Sequence, residues 1–371
     1  MKVLILGASS SGLYTALSLA QKGNEVILCE KESFFEGRRL ILTSYFLKNF
    51  PIKPKVLYKV KGYRFVVGET EAIFPLKEPD VVIDRRDLLL ELLKGCEACG
   101  VSIRWGWEFK KMASTKAFFS TPKGQKEIEA DYVVDAMGAK SPLRMALTPS
   151  PNLVFLKQVQ IIWPSFFKDD LSTIWLRPDL TPYFFWLFPD SPKTGIFGVI
   201  GEDREQTEKA LFQLAEEKRL ELGGRIEEGW VSLFQPRFFP KHKNVFFIGD
   251  SAGHVKPTTV GGVVSGLRGA KALAESLSSG KDYSKELLPL KRELMIHHLL
   301  RRLLNTFDEE DYRKLIKALK GSSLLGKVCR DTLFSDLFLL GIKSPVSSFK
   351  LFVYLLPYLM KKRRWKALWK R

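Results

Sequence analysis

The sequence is short of acidic residues, of cysteine, of histidine and of long apolar runs. Against 59 lysines and arginines stand 41 aspartates and glutamates, a formal net charge of +18 over 371 residues. The four cysteines, Cys29, Cys96, Cys99 and Cys329, exclude a disulfide-scaffolded domain and suit a reducing compartment. No stretch reaches the roughly 18 to 20 apolar residues that a membrane-spanning helix needs. With 27 glycines and 19 prolines the chain is neither collagen-like nor low in complexity. Cys96-x-x-Cys99 has no second pair and follows a Leu-rich helical segment from Asp87 to Lys94, so it reads as two helix-packed thiols. His297-His298 lacks a carboxylate at metal spacing, and no metal site is expected. What remains is ordinary globular material, 45% apolar and 27% charged, which excludes a mostly disordered chain. The length predicts two or three domains.

Half of the shortage of acid is local. The last acidic residue is Asp336, and nine cations follow it without an anion, half of the net charge in residues 337–371. A density of this kind implies an anionic partner. Phe349–Met360 is nearly all apolar, interrupted by Lys350 and Pro357, and Lys361–Arg371 then carries the cations and two tryptophans. Twelve residues cannot span a bilayer, but an apolar segment beside cations and tryptophans suits the interface of an anionic membrane. A docked helix with a solvated basic end is the alternative. Nucleic acid is not expected, because this tail alone would have to form the phosphate groove.

Met1-Lys2-Val3-Leu4-Ile5-Leu6 faintly has the look of a signal peptide, yet the same residues open a nucleotide-binding unit. Lys2–Leu6 is a buried strand, Gly7-Ala8-Ser9-Ser10-Ser11-Gly12 a turn, Leu13–Lys22 a helix ended by Gly23, and Glu25–Cys29 a second strand closed by Glu30. Gly7 allows the tight turn, and the backbone N–H groups at the helix start receive a pyrophosphate. Glu30, with Lys31 beside it, falls where an acid accepts hydrogen bonds from a ribose. Ser9 stands where the fingerprint has its middle glycine. A P-loop is excluded because Leu13-Tyr14 follows Gly12, and a short-chain dehydrogenase because the only Tyr-x-x-x-Lys pair, Tyr358…Lys362, lies in the basic tail.

Two later segments join this unit. Ala130–Asp135 is a strand followed by Ala136-Met137-Gly138-Ala139-Lys140-Ser141. Asn244–Ile248 is another, followed by Gly249-Asp250, the loop Lys256-Pro257-Thr258-Thr259-Val260-Gly261-Gly262, and a helix over Val263–Leu277. With Arg85-x-x-Leu88-x-x-x-Leu92 and Phe184-Phe185-Trp186-Leu187-Phe188-Pro189, the ordered set resembles the flavoprotein hydroxylase superfamily, and more closely its geranylgeranyl reductase branch. The resemblance covers about residues 1–280. It implies FAD, held by Gly7, Ser9, Ser11, Gly12, Glu30, Lys31, Arg85, Asp135, Gly138, Gly249, Asp250, Pro257, Gly261 and Gly262. Asp250 can accept from ribityl hydroxyls, and the helix after Gly262 points its positive end at the flavin edge that becomes negative on reduction.

The fold implied is α/β: a Rossmann-like FAD-binding domain (1–50, 76–150 and 236–280), an inserted mixed β-sheet substrate domain (51–75 and 151–235) and a C-terminal helical region (281–371). Val56–Phe74 reads as short strands, and Leu156–Ile162, Thr173–Leu176, Tyr183–Phe188 and Thr194–Val199 as further strands before a helix over Glu205–Arg219. Helices are expected over Ser284–Leu304, Glu309–Leu319, Leu333–Leu340 and Phe349–Trp369. Phe184, Trp186 and Phe188 share one strand face and, on the resemblance, line the substrate pocket. The branch usually carries Cys-Gly in the loop after the first acid; here that loop reads Gly37-Arg38-Arg39-Leu40. No catalytic acid or base is evident. His254 reads as structural, and Lys256 either as a flavin or reductant contact or as a solvated cation.

The expected activity is reduction of isoprenoid double bonds in a lipid or quinone by hydride from reduced flavin, in a cytoplasmic protein associated peripherally with the inner face of the membrane. No second glycine fingerprint is present, so the electron donor, NAD(P)H or a reduced ferredoxin-like protein, binds from outside. The rivals are a FAD-dependent monooxygenase or halogenase and a membrane-associated electron-carrier flavoprotein.

Overall fold

A computed structural model describes residues 1–148, 150–167, 170–320 and 328–336. Its first layer is a six-stranded sheet in the order Lys241–His242, Val245–Phe247, Tyr132–Asp135, Lys2–Leu6, Glu25–Glu30, Ser102–Trp105. All neighbours are parallel except the short edge strand Lys241–His242. Val3, Leu4, Ile5 and Leu6 are all buried, as a parallel sheet covered on both faces requires. On one face pack the helices Ser10–Ala20, Arg85–Ala98 and Val263–Ser279, through Leu13, Leu88 and Leu267. The other face meets a three-stranded meander, Glu108–Ala113, Lys116–Thr121 and Gly124–Glu129, through Ala117 and Phe119. This meander was not foreseen; its outer strand, Gly124–Glu129, is almost wholly exposed and lacks an apolar alternation.

The second layer is an eight-stranded mixed sheet in the order Leu222–Leu233, Asn152–Ile162, Thr194–Gly201, Phe185–Pro189, Leu171–Trp175, Val56–Val67, Thr70–Asp84, Arg39–Leu42. The short strands expected over Val56–Phe74 are instead one long hairpin that runs on to Asp84. Arg39–Leu42 pairs with its far end, so the sheet draws strands from both sides of the boundaries at 50 and 76. Leu222–Leu233 also lay outside the strands read from sequence, because its start, Leu-Gly-Gly-Arg-Ile-Glu-Glu, is largely exposed. Phe185 and Leu187 turn to one face and pack with Leu211 and Leu214 of the helix Arg204–Glu217. Trp186 and Phe188 turn to the other face with Phe184, facing the first layer.

The helix Tyr283–Leu304 lies against Val263–Ser279 and leads to Glu309–Leu319, which opens with a capping box between Asp308 and Asp311. Tyr312 and Ile316 of this last helix pack on Val67, Ala72 and Phe74, so the helical region ties the two sheets together. Residues 333–336 are helical. The rest of the helix expected over Leu333–Leu340, and the apolar and basic tail, lie outside the described residues. No helix among the described residues is long and apolar enough to cross a membrane.

Candidate FAD and substrate site

The turn at Gly7 shows why the opening motif tolerates serine. Gly7 has φ +101°, and a Cβ there would stand 2.7 Å from the Ala136 carbonyl oxygen, so only glycine fits. A Cβ on Gly12 would overlap the Gly7 carbonyl. Ser9, in contrast, has φ −69° and caps the helix, its hydroxyl accepting from the Gly12 N–H at 3.1 Å. The middle position needs a small residue but no left-handed backbone, and serine adds a cap.

Between the two sheets lies a cavity of about 1170 Å³, larger than the ~300–1,000 Å³ of an ordinary small-molecule pocket. Ser9, Ser11, Arg85, Gly138, Gly249, Asp250, Gly261 and Gly262 line one part of it. Phe184, Trp186 and Phe188 line another, with Phe65, Phe74, Leu176, Leu304, Phe307 and Ile316. The structure thus gathers eight of the fourteen residues assigned to the cofactor and all three assigned to substrate.

The other six stand behind the wall. Gly7 and Gly12 shape the turn. The Glu30 carboxylate accepts from the Ala8 N–H at 2.7 Å and the Glu32 N–H at 3.0 Å, bracing the same turn. Lys31 is exposed and pairs with Glu32 at 3.4 Å. Pro257 is buried within the glycine loop. Asp135 is buried, accepts from the Met137 N–H at 2.9 Å and from the Ser141 hydroxyl, and is pushed up to about 6 by burial. It fastens the turn that presents Gly138.

The polar part of the cavity fits FAD. Arg38 and Arg85 line the same stretch, and burial first, then the Arg38 charge, push Arg85 down. A bridging diphosphate relieves that repulsion. Asp250 faces the cavity and is pushed up to about 6 by burial, partly offset by Arg85 and Arg38. Gly262 ends the loop at the start of the Val263–Ser279 helix, and a Cβ there would stand 3.0 Å from Val255 and 3.1 Å from an Asp250 carboxylate oxygen. Bare backbone and the positive end of a long helix therefore face the space beside Asp250.

The cavity also carries charges that local sequence reading missed. Lys256 is buried and ion-paired with Asp331, which corrects the solvated alternative. Asp331 also accepts from the Thr43 hydroxyl at 2.6 Å, while its backbone carbonyl accepts from Arg268 at 2.6 Å. Burial alone would raise the Asp331 carboxyl, but Lys256, Thr43 and Arg330 together hold it below its ordinary range. Beside it, the Tyr63 hydroxyl donates to Asp80 at 2.6 Å and accepts from Arg330, which also pairs with Asp80 at 2.9 Å. These contacts join residues tens to hundreds of positions apart. One signal was available: Glu293 precedes His297 by one helical turn and lies 3.6 Å from it, so His297 does have a carboxylate partner. Of the two thiols in Cys96-x-x-Cys99, Cys96 is buried against the Leu13 carbonyl at 3.2 Å, whereas Cys99 is exposed. No metal-binding cluster occurs among the described residues.

A parallel dinucleotide-binding sheet, a glycine loop feeding a helix and a polar cradle beside an apolar chamber define a FAD-dependent oxidoreductase. The sequence profile of the pyridine nucleotide-disulphide oxidoreductases matches residues 1–157. The digeranylgeranylglycerophospholipid reductase of Methanothrix thermoacetophila is 24% identical over 367 residues, covering 87% of this chain and 92% of that protein. The chloroplastic geranylgeranyl diphosphate reductase of Arabidopsis thaliana is 25% identical over 174 residues, 44% of this chain; the match spans only 37% of that enzyme's length. A crystal structure of a geranylgeranyl bacteriochlorophyll reductase-like protein from Thermoplasma acidophilum has the same fold, with a TM-score of 0.77 at 18% identity, over 96% of this chain and 98% of that one. In sequence and in fold the chain is thus similar to proteins of the geranylgeranyl reductase type.

Proposed function

We propose that the protein saturates isoprenoid carbon–carbon double bonds in the tail of a lipid or quinone. The observation that carries this reading is the continuity of the cavity. Its polar cradle opens into a chamber lined by Phe65, Phe74, Leu176, Phe184, Trp186 and Phe307 and bounded by Leu315, Ile316 and Leu319 of the helix Glu309–Leu319. An apolar wall of this kind binds a polyprenyl chain by area, at ~25 cal/mol per Å² removed from water.

Bound FAD would supply a two-electron hydride when reduced. The chain's own residues do the rest. Arg38 and Arg85 face the position of a diphosphate, Asp250 can accept from ribityl hydroxyls, and Gly261 and Gly262 let the flavin ring approach the backbone. Phe184 and Trp186, with ring centroids 5.9 Å apart, orient the chain and exclude water. An external donor, NAD(P)H or a reduced ferredoxin-like protein, supplies the electrons, and the basic tail brings the enzyme to the inner face of an anionic membrane. The test is anaerobic: photoreduce the flavin, add geranylgeranyl lipid, and follow reoxidation with mass gain in the lipid. Product formation that requires dioxygen would favour the monooxygenase or halogenase rival. Reoxidation by a quinone head group but never by a polyprenyl lipid would favour the electron carrier.

A further inference from the structure

We propose that Thr258 is the proton donor of this site and that His297, held by Glu293, recharges it; the proposal rests on the double-bond reduction just described. Saturating an alkene adds a hydride to one carbon and a proton to the other. The reduced flavin accounts for the hydride and both electrons, and the local sequence offered no source for the proton.

Thr258 lies in the loop that ends at Gly261-Gly262, and both it and His297 line the cavity. The Thr258 hydroxyl oxygen is 2.5 Å from His297 Nδ1. On the other edge of the ring, Nε2 is 3.0 Å from the Arg330 carbonyl oxygen and 3.6 Å from Glu293. A carbonyl only accepts, so Nε2 carries a hydrogen in every protonation state. The neutral ring therefore accepts from Thr258 at Nδ1, and the hydroxyl hydrogen is turned away from the cavity. When the ring gains a proton, Nδ1 becomes a donor to Thr258, and the hydroxyl hydrogen is freed to point into the cavity. Loading His297 and presenting a proton to substrate are thus one event.

The step balances. Reduced flavin, when bound, would supply the hydride to one alkene carbon. The other carbon takes the Thr258 hydroxyl proton, that hydroxyl is restored by the Nδ1 proton, and the imidazolium returns to neutral imidazole, to be reloaded from solvent. His297 and Glu293 are both almost fully buried. The charged groups facing the ring are Glu293 on its own helix, Lys256 on the glycine loop and Asp331 on the closing segment. Burial lowers the ring's proton affinity, Glu293 raises it and Lys256 lowers it. The charged form therefore gives up its proton readily, and Glu293 keeps that form accessible. Thr258 is the catalytic residue here; His297 and Glu293 act through it.

The test uses the FAD-loaded full chain. Single-turnover reoxidation of photoreduced flavin by geranylgeranyl lipid is followed against pH in H₂O and D₂O, and flavin absorbance checks each variant's integrity. Thr258→Val, which keeps the volume, is expected to slow reoxidation by about 100-fold or more, and Thr258→Ser to restore most of it. His297→Gln is expected to flatten the pH profile and diminish the solvent isotope effect. Independently of turnover, NMR titration of the four histidine rings, with His297 assigned by its loss in His297→Gln, should show its midpoint fall in Glu293→Gln. A Thr258→Val variant with the wild-type rate, or a His297→Gln variant with the wild-type pH profile and isotope effect, would overturn the proton donor while leaving double-bond reduction standing. Wild-type flavin that the lipid never reoxidises would remove the reduction itself, and the proton donor with it.

Discussion

The two walls of the cavity are built in opposite ways. The cofactor wall is assembled from backbone: Ser9, Gly138 and Gly249 sit in turns that follow parallel strands, with Gly7 behind them, and Gly261 and Gly262 end the loop that starts the Val263–Ser279 helix. The charged and polar side is assembled from long side chains that reach between distant elements, two of them from the glycine loop itself. Lys256 meets Asp331, Tyr63 and Asp80 meet Arg330, and Thr258 meets His297. The first wall is specified locally and tolerates little. The second depends on pairs, each of which is costly to break and cheaper to replace whole.

Breaking one pair therefore carries the largest expected effect. Lys256→Met strands the buried Asp331 carboxylate and should cost about 3–5 kcal/mol of unfolding free energy, read from the denaturant midpoint, whereas Lys256→Met with Asp331→Leu should recover much of it. An unchanged midpoint in the single variant would mean that the pair is solvated. On the cofactor wall, Gly12→Ala drives a methyl into the Gly7 carbonyl; we expect about 1–3 kcal/mol of destabilisation and a protein purified without absorbance near 450 nm. Retention of flavin by this variant would contradict the assigned role of the turn. On the apolar wall, Phe184→Ala should raise the apparent KM for a polyprenyl substrate by about tenfold to 100-fold, matching roughly 1.5–3 kcal/mol of lost burial, with flavin content unaltered. A fall in flavin content instead would place Phe184 on the cofactor side.

An effect that is negligible at neutral pH and grows only on acidification is set by His254, buried beneath Gly269 outside both walls. Burial pushes its ring down to about 3 from the ordinary 6.5. The unfolded chain takes up that proton below about pH 6.5 while the native protein does not. Its contribution is thus fully present above pH 6.5 and falls by about 1.4 kcal/mol per pH unit on the way down to about pH 3. His254→Gln should flatten the stability–pH curve over that window. A slope equal to that of wild type would show that His254 is protonated in the fold.

Legibility followed the same division. The strand Lys2–Leu6 was read with its observed bounds, and the Val263–Ser279 helix within two residues at its end, because apolar runs and glycine turns report backbone directly. The period-two face of Phe184, Trp186 and Phe188 was equally plain, and these side chains do share the cavity. Glu30 and Asp135 were placed against the cofactor from their position after strands. The structure adds that both carboxylates accept from backbone N–H groups and so brace the turns they follow, a role that no spacing rule reports. The meander over 108–129 escaped notice because Gly124–Glu129 is exposed almost throughout and a bulge between Phe109 and Lys111 breaks the alternation of the first strand.

The sequence by itself determined the dinucleotide fold, the position of the glycine loop and the composition of the apolar face, since each depends on residues within a few positions of one another. Only the tertiary structure decided that Asp331 neutralises Lys256, that Arg330 closes on Tyr63 and Asp80, and that His297 bonds Thr258. Those partners are between 39 and 267 residues apart. A buried charge selects its partner by three-dimensional proximity and desolvation, and neither quantity is written along the chain.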